Sequence, residues 1–323
     1  MNFRLLAPLA ISLGVFLPGV SLGNPTQLYQ GTAHDAFYGL CVSEARQIAV
    51  GDAGLILETQ DAGGSWTEVP PFTERALLDV SCGADVSLIV GQEGAIYRRT
   101  SEDYEAIISN TNERLLSVSD VSSNGLVFAV GGFGTVLRST DSGLNWTSLT
   151  PDWPTLTNDF FEPHLYDVHV SNAGVVTIVG EFEMVIQSTD QGDSWEATHI
   201  GEASLFGLSL HASGAGFAVG QNGKILKTAD GGQNWKQIDS PGNSILLNVW
   251  TSGTGEVLVS GIRNMLQSSD NGAKWAQIEQ GDLSTGWYQG LSVINAGSAS
   301  GKFVLLAGHG GSLIKLKLDK NKN

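Results

Sequence analysis

A chain of 323 residues, 41% hydrophobic and only 15% charged, has enough apolar mass for a large core. Its 41 glycines show no triplet period and come with only 9 prolines, which excludes collagen and disorder in favour of many tight turns. Acidic residues outnumber basic ones 33 to 17, a formal charge of −16, and such a surface repels phosphate backbones and anionic lipid, removing nucleic acid from the partner classes.

Arg4, the apolar run Leu5 to Val20 and the small residues around Ser21-Leu22-Gly23 read as a signal peptide over residues 1–23, cut before Asn24. The run is interrupted by Pro8 and Pro18 and is short for a membrane span. Cleavage removes Arg4 and leaves 33 acidic against 16 basic residues, a charge of −17. The expected location is the periplasm, or a thylakoid lumen in a photosynthetic source, with at most peripheral membrane contact. Residues 24–318 are expected to form one domain and 319–323 a short polar tail. Cys41 and Cys82 occupy similar places in adjacent repeats, one residue out of register. In an oxidising compartment they either bridge neighbouring repeats or stay as two buried thiols.

One phrase recurs along the chain. It is Thr59-x-Asp61-x-Gly63-x-x-Trp66, then Ser139 to Trp146 around Asp141, Ser188 to Trp195 around Asp190, Thr228 to Trp235 around Asp230, and Ser268 to Trp275 around Asp270. The aspartates lie 80, 49, 40 and 40 residues apart, and 40 is the length of one propeller blade. A degenerate copy, Ile96 to Tyr104, fills the gap after Asp61, and a last repeat from Leu291 to Leu318 has lost the phrase, which makes seven. Each repeat holds four short apolar strands: one like Leu77 to Val80, a second ending in Gly like Phe128 to Gly131, a third like Thr135 to Leu137, and a fourth opened by the Trp. The fold expected is all-β, a seven-bladed propeller of four-stranded blades. The leftover segment Thr26 to Gln30 is expected to complete the last blade and close the ring.

In the repeated phrase the Asp carboxylate accepts turn N–H groups, the Gly supplies a positive φ, and the Trp buries its ring against the sheet. Asp61, Asp141, Asp190, Asp230 and Asp270 are therefore structural, and these loops lack the distal ligands a calcium site requires. The six histidines show no metal spacing, so neither metal nor cofactor is expected.

Phrases such as Val219-Gly220-Gln-Asn-Gly223-Lys-Ile-Leu226-Lys-Thr228-Ala-Asp230-Gly-Gly232-Gln-Asn-Trp235 carry a resemblance to the photosystem II stability/assembly factor-like family of BNR/Asp-box propellers, over residues 36 to 318. The resemblance implies a chaperone-like protein binder, and the propeller is expected to be monomeric. In photosynthetic members of that family an arginine-rich patch holds new reaction-centre subunits. Here Arg75 and Arg114 match that patch at equivalent positions, and the later repeats do not carry Arg there. Sialidases also carry Asp boxes, but their chemistry needs an arginine triad with a Tyr-Glu pair. The seven arginines after residue 23 (Arg46, Arg75, Arg98, Arg99, Arg114, Arg138 and Arg263) lack the Arg-Ile-Pro phrase of those enzymes. No enzyme activity is expected.

In a four-stranded blade the turns between strands two and three share a face with the links between blades, opposite the Asp boxes. Links and turns on that face break from the repeat. An insertion over residues 150–163 carries Trp153, Phe160 and Phe161; nearby turns carry Phe133 and Phe182 where other repeats have Asp52, Gln92 or Gln221; another link holds Trp287 and Tyr288. Aromatics gathered on one face mark a protein-binding surface, unless the insertion packs them as a private core. The function expected is an assembly factor or scaffold for a membrane or cell-envelope protein complex, the alternative a glycan-binding or glycan-hydrolysing propeller.

Overall fold

A computed structural model describes residues 23–318, apart from 45, 62, 84, 101–102, 159–160 and 296–301. The proposed signal segment through residue 22, the tail 319–323, Phe160, and Ser101 and Glu102 of the degenerate box lie outside the described residues. Seven four-stranded antiparallel sheets form, six of them pairing their strands in chain order from the axis outwards. Blade 1 spans residues 37–68, blade 2 77–107, blade 3 115–149, blade 4 165–199, blade 5 205–237 and blade 6 246–277. Blade 7 takes three strands from 288–318, and its outer strand is Thr26–Gln30, paired antiparallel with Ser312–Leu318. The expected closure is the one found. The last repeat opens at Tyr288, three residues before Leu291.

The second strands explain why one repeat cannot stand alone. Val127–Gly131 and its equivalents in blades 1, 2, 4, 5 and 6 are buried along their whole length, because neighbouring blades cover both faces. The core is thus a set of clusters between blades; one joins Phe128 and Val130 of blade 3 to Val168 and Ile178 of blade 4. No helix among the described residues is long and apolar enough to cross a membrane.

The Asp boxes work within each hairpin and across to the preceding blade. Asp61 accepts the Ser65 N–H at 2.8 Å and the Ser65 hydroxyl at 2.7 Å, and Thr59 donates to it at 2.7 Å. The Gly63 N–H goes to the Thr59 hydroxyl at 3.2 Å, and Gly63 has φ 83°. So the Ser/Thr, as much as the Asp, closes the turn. Side-chain and then backbone hydrogen bonds from Asn145, Ser194 and Asn234 hold Asp141, Asp190 and Asp230 down at about 2. Each Trp lies over the blade before it: Trp195 meets Phe128 edge-on at 6.3 Å, and Trp275 meets Phe217 at 6.5 Å. The boxes therefore fasten blade to blade.

At the axis every inner strand is a sheet edge, whose N–H groups need acceptors outside the ladder. In blades 2, 3, 4 and 6 the third residue of the inner strand reaches along the ring to the next blade. Asp79 accepts from Val118 N–H at 2.9 Å, Ser117 donates to Asp167 at 3.0 Å, Asp167 accepts from Leu208 N–H at 2.7 Å, and Asn248 donates to the Gln289 carbonyl at 2.9 Å. Where this residue is Gly39, Gly207 or Gly290 the next strand comes so close that a Cβ would lie 2.8 Å from its atoms. Beside Gly39 the disulfide Cys41–Cys82 joins blades 1 and 2, with the Cα atoms 5.5 Å apart. Closing a loop of 41 residues stabilises by about 4 kcal/mol in the chain-entropy model. Bridging is thus the alternative realised.

Burial pushes the Asp79 carboxyl up to about 6; burial and then the Asp79 charge push Asp167 up to about 7. Both folded values lie above the unfolded one, so the native state holds the extra protons and this contribution to stability is lost as pH rises through 6 and 7. The buried His169, held below its ordinary value by burial, acts in the opposite sense as pH falls, so the aspartates are read by difference: between about pH 8 and pH 5 the melting temperature of the wild type should gain relative to that of Asp167→Asn. An identical slope in the variant would refute the assignment. Below about pH 4 the box aspartates reverse the trend, since their folded values are depressed.

Candidate protein-binding face

The face opposite the Asp boxes is built from seven tight turns and seven links. In each turn a strand ends at Gly, the next residue starts the turn, and the one after takes a left-handed backbone. The left-handed residues are Ala53 (φ 48°), Glu93 (56°), Phe133 (50°), Phe182 (61°), Asn222 (56°) and Arg263 (54°). Phe133 and Phe182 thus align with Ala53, Glu93 and Asn222, one residue beyond the Asp52, Gln92 and Gln221 register read from the sequence. The first turn residue serves the links instead, as Gln92, Glu181 and Gln221 each accept a link N–H. A bulky side chain in the left-handed region costs on the order of 1 kcal/mol. Phe133 is 61% exposed and Phe182 43%, so neither recovers that cost in the core. Strain and exposure coincide at both.

The insertion divides its aromatics. Asp152 caps a short helix, Trp153–Thr157, and Trp153 (4% exposed) and Leu156 pack into the cluster between blades 3 and 4. Trp153 is therefore a core residue and not a contact residue, a correction with a visible cause. Gly134 leaves room for the indole: a Cβ there would lie 2.5 Å from Trp153 Nε1. Phe161 remains half-buried, its ring 4.6 Å from Phe182. The Phe133 ring meets His164 edge-on at 4.8 Å, and the Phe133 N–H donates to His164 Nδ1. Since the His164 N–H goes to Glu181, the two aromatic turns are tied through one link.

Tyr288 is the second correction. It opens the inner strand of blade 7, is 2% exposed, and donates its hydroxyl to Asp282 at 2.8 Å. Trp287 alone is half-buried on the face, stacked on Tyr38 at 6.1 Å. Arg75 and Arg114 do stand at equivalent places in the links before blades 2 and 3. Arg75 pairs with Glu93 at 2.8 Å, whereas the exposed Arg114 has no ion pair among the described residues. Sequence reasoning missed Phe72, Ile108, Ile200, Ile245 and Ile262, all exposed on the same links and turns. Seven of the eight large apolar side chains exposed among the described residues fall on this face; Leu144, in an Asp box, is the eighth. Among the described residues no cluster of His, Cys, Asp and Glu could hold a metal ion.

The family described as photosynthesis system II assembly factor YCF48 matches residues 147–310, half of the chain. The chain belongs to this family. No curated protein matches it by sequence. Among solved structures, YCF48 bound to a D1 peptide is 18% identical with a TM-score of 0.69, covering 93% of this chain and 97% of that one. YCF48 from Cyanidioschyzon merolae is 18% identical with a TM-score of 0.72, covering 93% and 100%. An ancestral GH74 enzyme is 13% identical with a TM-score of 0.69, covering 90% of this chain and 46% of that one. At such identities these structures establish the shared propeller fold and nothing finer.

Proposed function

We propose that this member of the YCF48 family is an exported, non-enzymatic propeller that holds a protein of a membrane or cell-envelope complex against its link face. The observation that carries the reading is the pair of strained, exposed phenylalanines, Phe133 and Phe182, set among the other apolar side chains of that face. A folded chain keeps such strain where a partner uses it. The peptide bound to a solved YCF48 supports a protein as the class of ligand. The arginines support a role without catalysis. Arg46, Arg98, Arg99 and Arg138 are each bonded to a neighbouring blade and Arg75 is paired with Glu93, so five of the seven arginines are already engaged within the propeller rather than held ready for a sugar carboxylate.

Phe133→Gly combined with Phe182→Gly should leave the melting temperature unchanged or slightly higher, because Gly relaxes both turns. The same variant should lose capture of the envelope protein that the wild type retains in pull-downs. Trp153→Ala should instead lose about 3 kcal/mol of stability. Capture surviving in the double-glycine variant would defeat the proposal.

A further inference from the structure

At the centre of the link face lies a second feature. The second residue of each inner strand is Tyr38, Leu78, Leu116, Tyr166, Phe206 and Leu247 in blades 1 to 6, with Gln289 in blade 7, and every one is half-buried. The inner strands encircle the axis, so these equivalent positions form a ring at its link-face end. Tyr166 and Phe206, from adjacent blades, meet edge to face at 4.9 Å, and Trp287 stacks on Tyr38. Six apolar side chains thus surround the mouth of the axis and stay partly open to solvent.

The charge of the link face as a whole is one-sided. Arg75, Arg114, Lys224 and Arg263 are the cations of the described turns and links of the face. Glu93 neutralises Arg75, and Glu183 neutralises Lys224 at 2.8 Å. Exposed carboxylates such as Asp52, Glu74, Glu202 and Asp239 occupy four different turns and links. An acidic segment would be repelled from this surface, while a cationic one is attracted and, once there, finds apolar cover at the centre.

We infer that the axial mouth binds a polypeptide segment in which apolar side chains are flanked by lysine or arginine. The apolar side chains enter the ring of Tyr38, Leu78, Leu116, Tyr166, Phe206 and Leu247, and the cations meet carboxylates of the turns and links of the same face. This rests on the protein-binding reading of the link face and adds the chemistry of the partner. It differs from recognition by an arginine patch, which selects the opposite charge.

The test uses the chain from residue 24 and three synthetic peptides of equal length, alternating leucine with lysine, leucine with glutamate, and serine with lysine. The leucine–lysine peptide should bind at least about tenfold more tightly than either control, a difference of about 1.4 kcal/mol. Tyr166→Ser combined with Phe206→Ser, which leaves net charge unchanged, should weaken it by about tenfold. Should that variant melt early, Leu116→Lys gives the same test from a single half-buried position. Equal binding of the serine–lysine peptide, tighter binding of the leucine–glutamate peptide, or undiminished binding by folded ring variants would overturn the inference. None of these touches the capture experiment with Phe133 and Phe182, so the two readings fail separately.

Discussion

Glu58→Gln should lower the stability of the propeller by about 4 kcal/mol, the loss expected when one partner of a buried ion pair is left alone. In blades 2, 3, 4 and 5 the third residue of the third strand donates to a carbonyl in the next Asp box: Arg98 to Ser142, Arg138 to Gln191, Gln187 to Gly231 and Lys227 to Asn271. Blade 1 faces blade 2, which has lost its box, and at this position it carries Glu58. Arg99, standing where other blades have the box Ser or Thr, reaches back with two parallel bonds of 2.5 and 2.9 Å to the Glu58 carboxylate. Tyr104 donates to the same carboxylate and lies under the Arg99 guanidinium, where other blades place the Trp. Burial alone would raise Glu58, but the bonds from Arg99 and Tyr104 and the Arg99 charge outweigh it and hold the carboxyl low. The side chains are 11% and 14% exposed, so water screens the pair little. Denaturant unfolding of Glu58→Gln, Arg99→Met and the double variant closes the cycle. Each single change should be costly, and the pair together should recover most of the loss, because no charge is then left buried. A Glu58→Gln loss under about 1 kcal/mol would place the pair among ordinary surface ion pairs instead.

How much of this was legible follows from how far each residue acts along the chain. The box residues Thr59, Asp61 and Gly63 close a turn within five residues, so their spacing carried the blade and the count of blades. Closure was legible because Leu28 and Tyr29 had no other strand to join. The fate of Trp153 depended on a residue 19 positions earlier, Gly134, whose missing side chain opens the space for the indole. A link has no periodic face to announce that, and Phe133, one residue before Gly134, gives the same aromatic signal while pointing into solvent. Tyr288 was placed in a link because blade 7 has no box to set its register. The isoleucines at 108, 200 and 262 sit one residue after a strand and Ile245 one residue before one, where they read as the strand's own end. The ring at the axial mouth was hidden for a further reason. Every inner strand carries a β-bulge between its first and third residues, which frees the second residue from the alternation that places its neighbours in the core.

Removing residues 24–31 should lower stability by about 5 kcal/mol, from half-burial of two large side chains at about 1 kcal/mol each and several backbone hydrogen bonds of similar worth. Thr26, Gln27, Tyr29 and Gln30 pair with Lys315, Ile314, Leu313 and Ser312, and flanking N–H groups of Gly23 and Gly31 donate to Lys317 and Gly311 at 3.0 Å. Leu28 and Tyr29 pack on the cluster of Phe37, Leu305 and Leu313, so the strand also cements blade 7 to blade 1. At about 2 °C per kcal/mol for a chain of this size the melting temperature should fall by about 10 °C. The deletion bares Ser312–Leu318 as an apolar sheet edge, and self-association through that edge should accompany the loss. A synthetic peptide of residues 24–31 added in trans should restore both, since the vacated edge is its own template. A melting curve unchanged by the deletion would mean that contacts between blades hold the ring shut without the strand, and that the N-terminal segment is an ornament of blade 7.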